Sequence, residues 1–368
     1  MKKSGEKSRL CILMCCSDIN TFKGGMVTVV KNYLESREWK SVDFIFVATH
    51  KEGSGIAKAV YFLTAYLRIM KLLLSHKVDM AHLHMAERGS FYRKAMVERL
   101  CHRFHIPVIL HHHSAEFEAF YHTLSAGRRK WVKKALEEAE LNLVLSSLLA
   151  EKYREKAPGA KIEVLYNAVN VPEENPYTGN ASDIILLGKL GQRKGTYDFL
   201  QALKAADDKI PKKTKCYLCG DGETAGAASF AEELGIRHRI AYIGWAEAEK
   251  KAEFLGRAAI HVLPSYGEGL PMSILETMAR GIPNISTDIA SIPEVIENGK
   301  NGFLIQPGDK DSLAERMISL LNDPLQREEF SKNGFSVIQD KFTLQKNIRT
   351  LEAYYWRIWR EKVSEARR

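Results

Sequence analysis

Short apolar runs punctuate the chain, each followed by a polar loop and then by a stretch with helical spacing. In the first half they are Leu10 to Cys16, Phe44 to Ala48, Met80 to Leu83, Val108 to Leu110, Leu141 to Leu145 and Ile162 to Leu165. The rhythm restarts with Ile184 to Leu187, Cys216 to Cys219, Ala241 to Ile243, Ile260 to Leu263 and Asn284 to Ser286. Such alternation predicts parallel sheets covered on both faces by helices, and two series predict two doubly wound α/β domains. The break falls in Val171 to Ser182, where Pro, Gly and Asn cluster without an apolar face. We place the domains at residues 1–172 and 173–346, with 347–368 a terminal helix carrying Leu351, Tyr354, Tyr355, Ile358 and Trp359 on one side. Sheets of this kind bind ligands outside the carboxyl ends of their strands, so a crevice between two facing domains is the expected site.

Composition narrows the class without naming it. At 368 residues, 45% hydrophobic and 27% charged, the chain reads as a soluble two-domain protein. The start shows no signal-like cleavage pattern, and the longest apolar stretch, Ala57 to Leu74, is interrupted by Lys58, Arg68 and Lys71. A cytoplasmic address is expected. The cysteines at 11, 15, 16, 101, 216 and 219 show no extracellular spacing, and Cys216-Tyr-Leu-Cys219 has no second pair to complete a zinc site, which favours buried strand cysteines. Residues 1–170 hold 27 Lys+Arg against 17 Asp+Glu, so the net +9 of the chain resides in its first half. That excess suits an acidic or membrane-surface partner as well as it suits ordinary solubility. No nucleic-acid-binding signature accompanies it.

The candidate chemistry centres on Glu268-Gly-Leu-Pro-Met-Ser-Ile-Leu-Glu276, running on to Gly281-Ile-Pro283. Pro271 predicts the first turn of a helix that Gly281 stops, and Met272, Leu275, Met278 and Ala279 give it one face to bury. Its start would offer backbone N–H groups and the positive end of the helix dipole to a phosphate, with Gly269 allowing close approach. Glu276 lies roughly 7 to 8 Å further along the axis, about the span from a diphosphate to a ribose. Tyr-Gly-Glu268-Gly-Leu-Pro-Met-Ser-Ile-Leu-Glu276-Thr-Met-Ala-Arg-Gly-Ile-Pro resembles the donor-site signature of the family-4 retaining glycosyltransferases, which use nucleotide-activated sugars and adopt the GT-B fold of two Rossmann-like domains.

The resemblance implies roles for other residues. Gly188-Lys-Leu-Gly-Gln-Arg-Lys194-Gly195 follows the first strand of the second half, where the family holds the donor diphosphate with an arginine and a lysine. Lys194 matches the lysine; Lys189 stands at the arginine position without its bidentate fork, and Arg193 is placed to compensate. Gly269 and Leu270 would join them at the diphosphate, and Ser273 and Glu276 would take the ribose side. Gly24 and Gly25, after the first strand, would be the first domain's contribution; their context is neither a GxGxxG fingerprint nor a GxxxxGK[ST] loop. In His111-His112-His113-Ser114, consecutive residues on an extended chain face opposite ways and cannot share one ion. His113 matches the family's histidine, whereas Ser114 replaces its usual glycine. His84 is a candidate for the acceptor side and His82 for a core position. Ser146, Asn167-Ala-Val-Asn170, Gly220-Asp221-Gly222, Gly244-Trp245 and Asp288 to Glu294 extend the likeness, with Ala168, Asn170, Ala290 and Ser291 departing from it. The last helix is suited to cross back to the first domain, as is common in this fold.

The implied reaction is sugar transfer from a UDP- or GDP-sugar to a glycan or lipid-linked acceptor hydroxyl with retention at the anomeric carbon. No metal and no further cofactor is expected, the diphosphate being met by lysines and backbone dipoles. Glu268 would bind the donor sugar and His113 would touch or orient the reacting groups. The acceptor implies docking at the cytoplasmic membrane face, for which Ala57 to Leu74 and the basic first half are suited. A nucleotide-sugar epimerase of related architecture and a non-catalytic nucleotide-binding partner of a glycan assembly complex are the competing readings.

Overall fold

A computed structural model describes residues 7–113 and 116–365. They divide into two compact units, one ending at Asn167 and resuming at Leu344, the other running from Ala168 to Thr343. Residues 171–182 carry neither helix nor strand, but the division comes earlier because the Val169 N–H already bonds to the Phe342 carbonyl at 3.0 Å within the second unit.

The first unit is built on β1 (Leu10–Cys16), β2 (Val42–Ala48), β3 (Met80–Met85), β4 (Val108–His112), β5 (Leu141–Val144) and β6 (Ile162–Val164), all parallel, in the order β2-β1-β3-β4-β5-β6. The second is built on β7 (Asp183–Leu187), β8 (Cys216–Cys219), β9 (Ile240–Gly244), β10 (Ala258–Leu263), β11 (Asn284–Thr287) and β12 (Gly302–Ile305), also parallel, in the order β12-β11-β10-β7-β8-β9. Strands β3, β4, β5, β7, β8, β10 and β11 are buried along their whole length. That is why stretches such as Val108 to Leu110 in β4 and Ile184 to Leu187 in β7 read as unbroken apolar runs rather than alternating ones. β12 escaped the sequence reading because its apolar run is short and opens on Gly302.

Each sheet has one point where successive connections leave in opposite directions: between β1 and β3 in the first unit, between β7 and β10 in the second. Loops leaving the carboxyl ends of neighbouring strands part there and open a crevice.

The helix Leu344–Glu365 belongs to the first unit. It buries Leu351, Tyr355 and Ile358. Asn347 Oδ1 accepts from the Tyr33 hydroxyl at 2.7 Å, and Glu352 Oε1 accepts from the Ser41 N–H and hydroxyl, each at 2.6 Å. Tyr354 and Trp359 are half-buried. All six cysteines are free, and Cys216 and Cys219 are buried in β8. Burial pushes both thiols up, Cys219 to about 12, which makes them inert core groups rather than a redox pair. Among the described residues, no helix is long and apolar enough to cross a membrane.

Candidate active site

In the second unit the crevice between β7 and β10 is lined by the two loops the sequence singled out. Gly195 makes their meeting possible. Its φ of +67° is left-handed, and a Cβ there would lie 2.1 Å from the Pro264 carbonyl oxygen, so only glycine lets the turn after β7 press against the loop after β10. The Tyr266 N–H then donates to the Arg193 carbonyl at 2.9 Å, and Arg193 Nη1 donates to the Gly267 carbonyl at 2.8 Å. Across this seam Lys194 Nζ donates to Glu268 Oε1 at 2.5 Å, and the Ser265 hydroxyl donates to the same oxygen at 2.6 Å. Glu268 is 6% exposed and the Lys194 side chain 13%, so both charges are largely out of water and each compensates the other. Ser265 is itself held, its carbonyl accepting from the Thr287 hydroxyl at 2.7 Å.

The helix after Glu268 spans Met272–Met278. Pro271 does not enter its first turn: with φ −68° and ψ 121° it is the extended residue that caps the start. Pro271 has no N–H to lose in either place. Met272, Ile274, Leu275, Thr277 and Met278 are buried, leaving Ser273 and Glu276 as a half-exposed strip along one edge. The helix is thus buried more deeply than on the single face its spacing predicted. Glu276 Oε2 is met by Lys251 Nζ, which comes from the helix Ala248–Arg257. Gly269 is half-buried and Leu270 buried, while Lys189 stands exposed after Gly188. The turn Gly220-Asp221-Gly222 flanks it, the Leu190 N–H donating to the Asp221 carbonyl at 2.6 Å.

In the first unit Gly24 and Gly25 are exposed at the start of the helix Gly25–Glu35, and Gly24 has a φ of +140° with open space where a Cβ would stand. The carboxyl ends of β3 and β4 carry a layer of imidazoles. Parallel pairing sets His84 against His111, so the i and i+2 positions of both strands bring His82, His84, His111 and His113 together. His112 points to the other face, where its Nε2 bonds Asn142 Oδ1 at 3.0 Å. His82 Nδ1 bonds the Tyr355 hydroxyl at 2.5 Å, His82 Nε2 meets His111 Nδ1 at 3.2 Å, and His84 Nδ1 meets His113 Nε2 at 2.9 Å. Burial holds all five rings neutral, lowering His82 and His113 to about 3, His112 to about 4, and His84 and His111 well below the ordinary value.

One ring nitrogen each from His82, His84 and His111 lies within 4.8 Å of the others. Yet His82 stacks on His84 at 4.3 Å with 19° between the planes, and imidazole lone pairs lie in the ring plane. The pairs of stacked rings run side by side rather than to one point, an arrangement of hydrogen-bonded bases more than of a coordination sphere. Ser114, the departure from the family pattern, lies outside the described residues.

The structure therefore joins Glu268 with Lys194 and Arg193, and sets Ser273 and Glu276 on one helix edge. It leaves Lys189 at the surface and carries His113, Gly24 and Gly25 in the other unit. Lys251, Ser265 and the His84 to His113 bond were missed. Lys251 lies far from Glu276 in sequence with no shared motif, and the histidine bond appears only once the strand register is known.

Residues 27–172 match the profile of Glycosyltransferase Family 4, and residues 171–337 that of Glycosyl transferases group 1. A 41.2 kDa protein of the cps region of Klebsiella pneumoniae is 26% identical over 86% of this chain and 93% of its own length. UDP-Gal:alpha-D-GlcNAc-diphosphoundecaprenol alpha-1,3-galactosyltransferase of Escherichia coli is 24% identical over 86% of this chain and 84% of its own. Among solved structures, sucrose-phosphate synthase of Thermosynechococcus elongatus superposes with a TM-score of 0.78 at 18% identity, over 96% of this chain and all of its own. HepE of Anabaena in complex with UDP-glucose does so at 0.73 and 14%, over 94% of this chain and all of its own. The chain belongs to the group 1 glycosyltransferases of the GT-B fold, enzymes that move a sugar from a nucleotide-sugar donor.

Proposed function

We propose that this enzyme transfers a sugar from a UDP- or GDP-sugar to a hydroxyl of a glycan or lipid-linked acceptor, with retention of anomeric configuration. The observation that carries the reading is the Lys194 to Glu268 pair at the divergence of β7 and β10. A lysine held largely out of water beside the helix start of Met272–Met278 is prepared to meet the charge that grows on a departing diphosphate. Arg193, Lys189, Gly269 and Leu270 would share that role, so the reading calls for no metal. Glu276 and Ser273 would take the ribose, and Glu268, freed as Lys194 turns to phosphate, would bind the sugar hydroxyls. Gly24, Gly25 and His113 are what the first unit would contribute. The leaving phosphate would accept the acceptor's proton on the face it departs from, without a covalent enzyme intermediate.

The E. coli relative's name specifies a diphosphoundecaprenol-linked acceptor, and the Klebsiella relative lies in a cps region. A lipid-linked acceptor fits the helix Gly55–Leu74, which leaves Ile56, Val60, Leu63, Leu67 and Leu74 exposed. These recur every three, four or seven residues, between Lys58, Arg68 and Lys71 and with no acidic residue in the helix. An apolar stripe bordered by cations suits the anionic surface of a bilayer. Thermal protection across a panel of UDP- and GDP-sugars tests the donor: one donor should raise the melting temperature in proportion to the logarithm of its concentration. Indifference to all of them would end the proposal.

A further inference from the structure

Two ring nitrogens of the histidine layer, His84 Nε2 and His111 Nε2, are buried without a hydrogen-bond partner among the described residues. A neutral imidazole carries one proton, so one nitrogen donates and the other accepts. An orphaned buried N–H is rarer than an orphaned lone pair, which places both protons on Nδ1. At His111 the consequence runs inward: Nδ1–H donates to His82 Nε2, so His82 keeps its proton on Nδ1 and donates to the Tyr355 oxygen. At His84 it runs outward. There Nδ1–H donates to His113 Nε2 at 2.9 Å, and an Nε2 that accepts carries no proton.

We propose that His84 is a positioning residue that locks His113 in the Nδ1–H tautomer, so that the half-buried His113 presents a hydrogen-bond donor, not a base, to the reacting sugar nucleotide. His113 Nδ1 has no partner among the described residues, and the ring is partly open to solvent. Its natural partner is an oxygen bearing lone pairs, a sugar hydroxyl or a phosphate oxygen. This rests on the reading that His113 takes part in transfer, and it removes His113 as the group that deprotonates the acceptor. Both rings stay uncharged around neutrality, since burial lowers each far below its ordinary value. The donor pattern therefore does not switch with pH in the working range.

Long-range nitrogen-proton correlation spectra of the full chain, labelled in its imidazoles and assigned with His113→Gln, read the tautomer without reference to activity. The expected result is a proton on His113 Nδ1 in the unsubstituted protein. His84→Asn, whose side-chain amide can place an N–H where Nδ1 donated, should keep both the tautomer and kcat. His84→Leu, similar in volume but without a donor, should shift His113 toward the Nε2–H form. It should also lower kcat about tenfold, with donor KM changed less, as for the loss of one oriented hydrogen bond. A proton on His113 Nε2 in the unsubstituted protein, or identical spectra and kcat for the Asn and Leu variants, overturns the proposal. Full turnover in His113→Ala would instead remove His113 from the reaction while the spectrum still judged the tautomer.

Discussion

The two units answer the same architectural problem with opposite chemistry. Both are six-stranded parallel sheets that diverge beside their first strand, β1 or β7. At that divergence the second unit buries charge in compensated form, Lys194 with Glu268, and sets Lys251 on Glu276 nearby. The first unit fills the ends of β3 and β4 with five uncharged imidazoles and further buries Lys94, whose Nζ donates to the Thr49 hydroxyl at 2.7 Å. Paired charges can exchange partners when an anion arrives, whereas neutral bases hold a hydrogen-bond pattern. The first arrangement suits receiving a diphosphate, the second presenting a directed donor.

Acid should separate the two most strongly. A histidine that is neutral when folded and free to protonate when unfolded costs stability as pH falls below about 6.5, at about 1.4 kcal/mol per pH unit until its folded value is reached. His82 and His112 reach that limit only near 3 and 4, and His84, His111 and His113 act in the same direction. Glu98, raised by burial to about 9, works the other way and offsets one of the five. The second unit has His261, lowered to about 4, as its single counterpart. Between pH 6.5 and 4 the first unit should therefore open first. Hydrogen exchange on the intact chain should show β3 and β4 losing protection while β8 and β10 keep theirs, after correction for intrinsic rates. Equal loss in both sheets would break the contrast.

Next in size is the separation of the two glutamates. Glu268→Ala should lower kcat about 100- to 1,000-fold, the scale of losing one preorganised group at the reacting centre, with donor affinity little changed. Glu276→Ala should raise donor KM about tenfold and leave kcat near its starting value. Lys251→Met should follow Glu276→Ala in direction with a smaller shift, since it orients that carboxylate rather than binding the donor. Initial-rate kinetics with the donor found by thermal protection would decide this. Equal loss of kcat in the two glutamate variants would show that the carboxylates do not divide the work.

Much of this was legible in the chain because buried parallel strands and a helix bounded by Pro271 and Gly281 leave continuous local signals. Ile184 to Leu187 is apolar throughout because β7 is covered on both faces, and the Glu268 to Glu276 string compresses loop, helix start and second turn into one segment. What stayed hidden is what register and helix rotation decide. Neighbouring histidines do face apart, His112 turning to Asn142 while His111 and His113 stack on the opposite face. The layer itself needed His82 and His84 from the adjacent strand, which no local spacing reveals. Lys251 reaches Glu276 from a helix with a pattern of its own, and β12 offered too short a run to register.

The smallest effect expected on the enzyme in solution is also the one that tests whether the first unit's charge has a use. Leu63 is 57% exposed and Leu67 49% on the helix Gly55–Leu74, so Leu63→Ser with Leu67→Ser removes apolar surface about half of which faces solvent. Stability should change by no more than about 0.5 kcal/mol per site, and turnover with a soluble acceptor analogue by less than about twofold. Sedimentation with vesicles containing anionic lipid should nevertheless fall well below that of the unsubstituted protein, and added salt should weaken both further as Lys58, Arg68 and Lys71 are screened. Unchanged sedimentation would place the +10 excess of residues 1–170 among ordinary solubilising charge and leave the stripe without a bilayer to lie on.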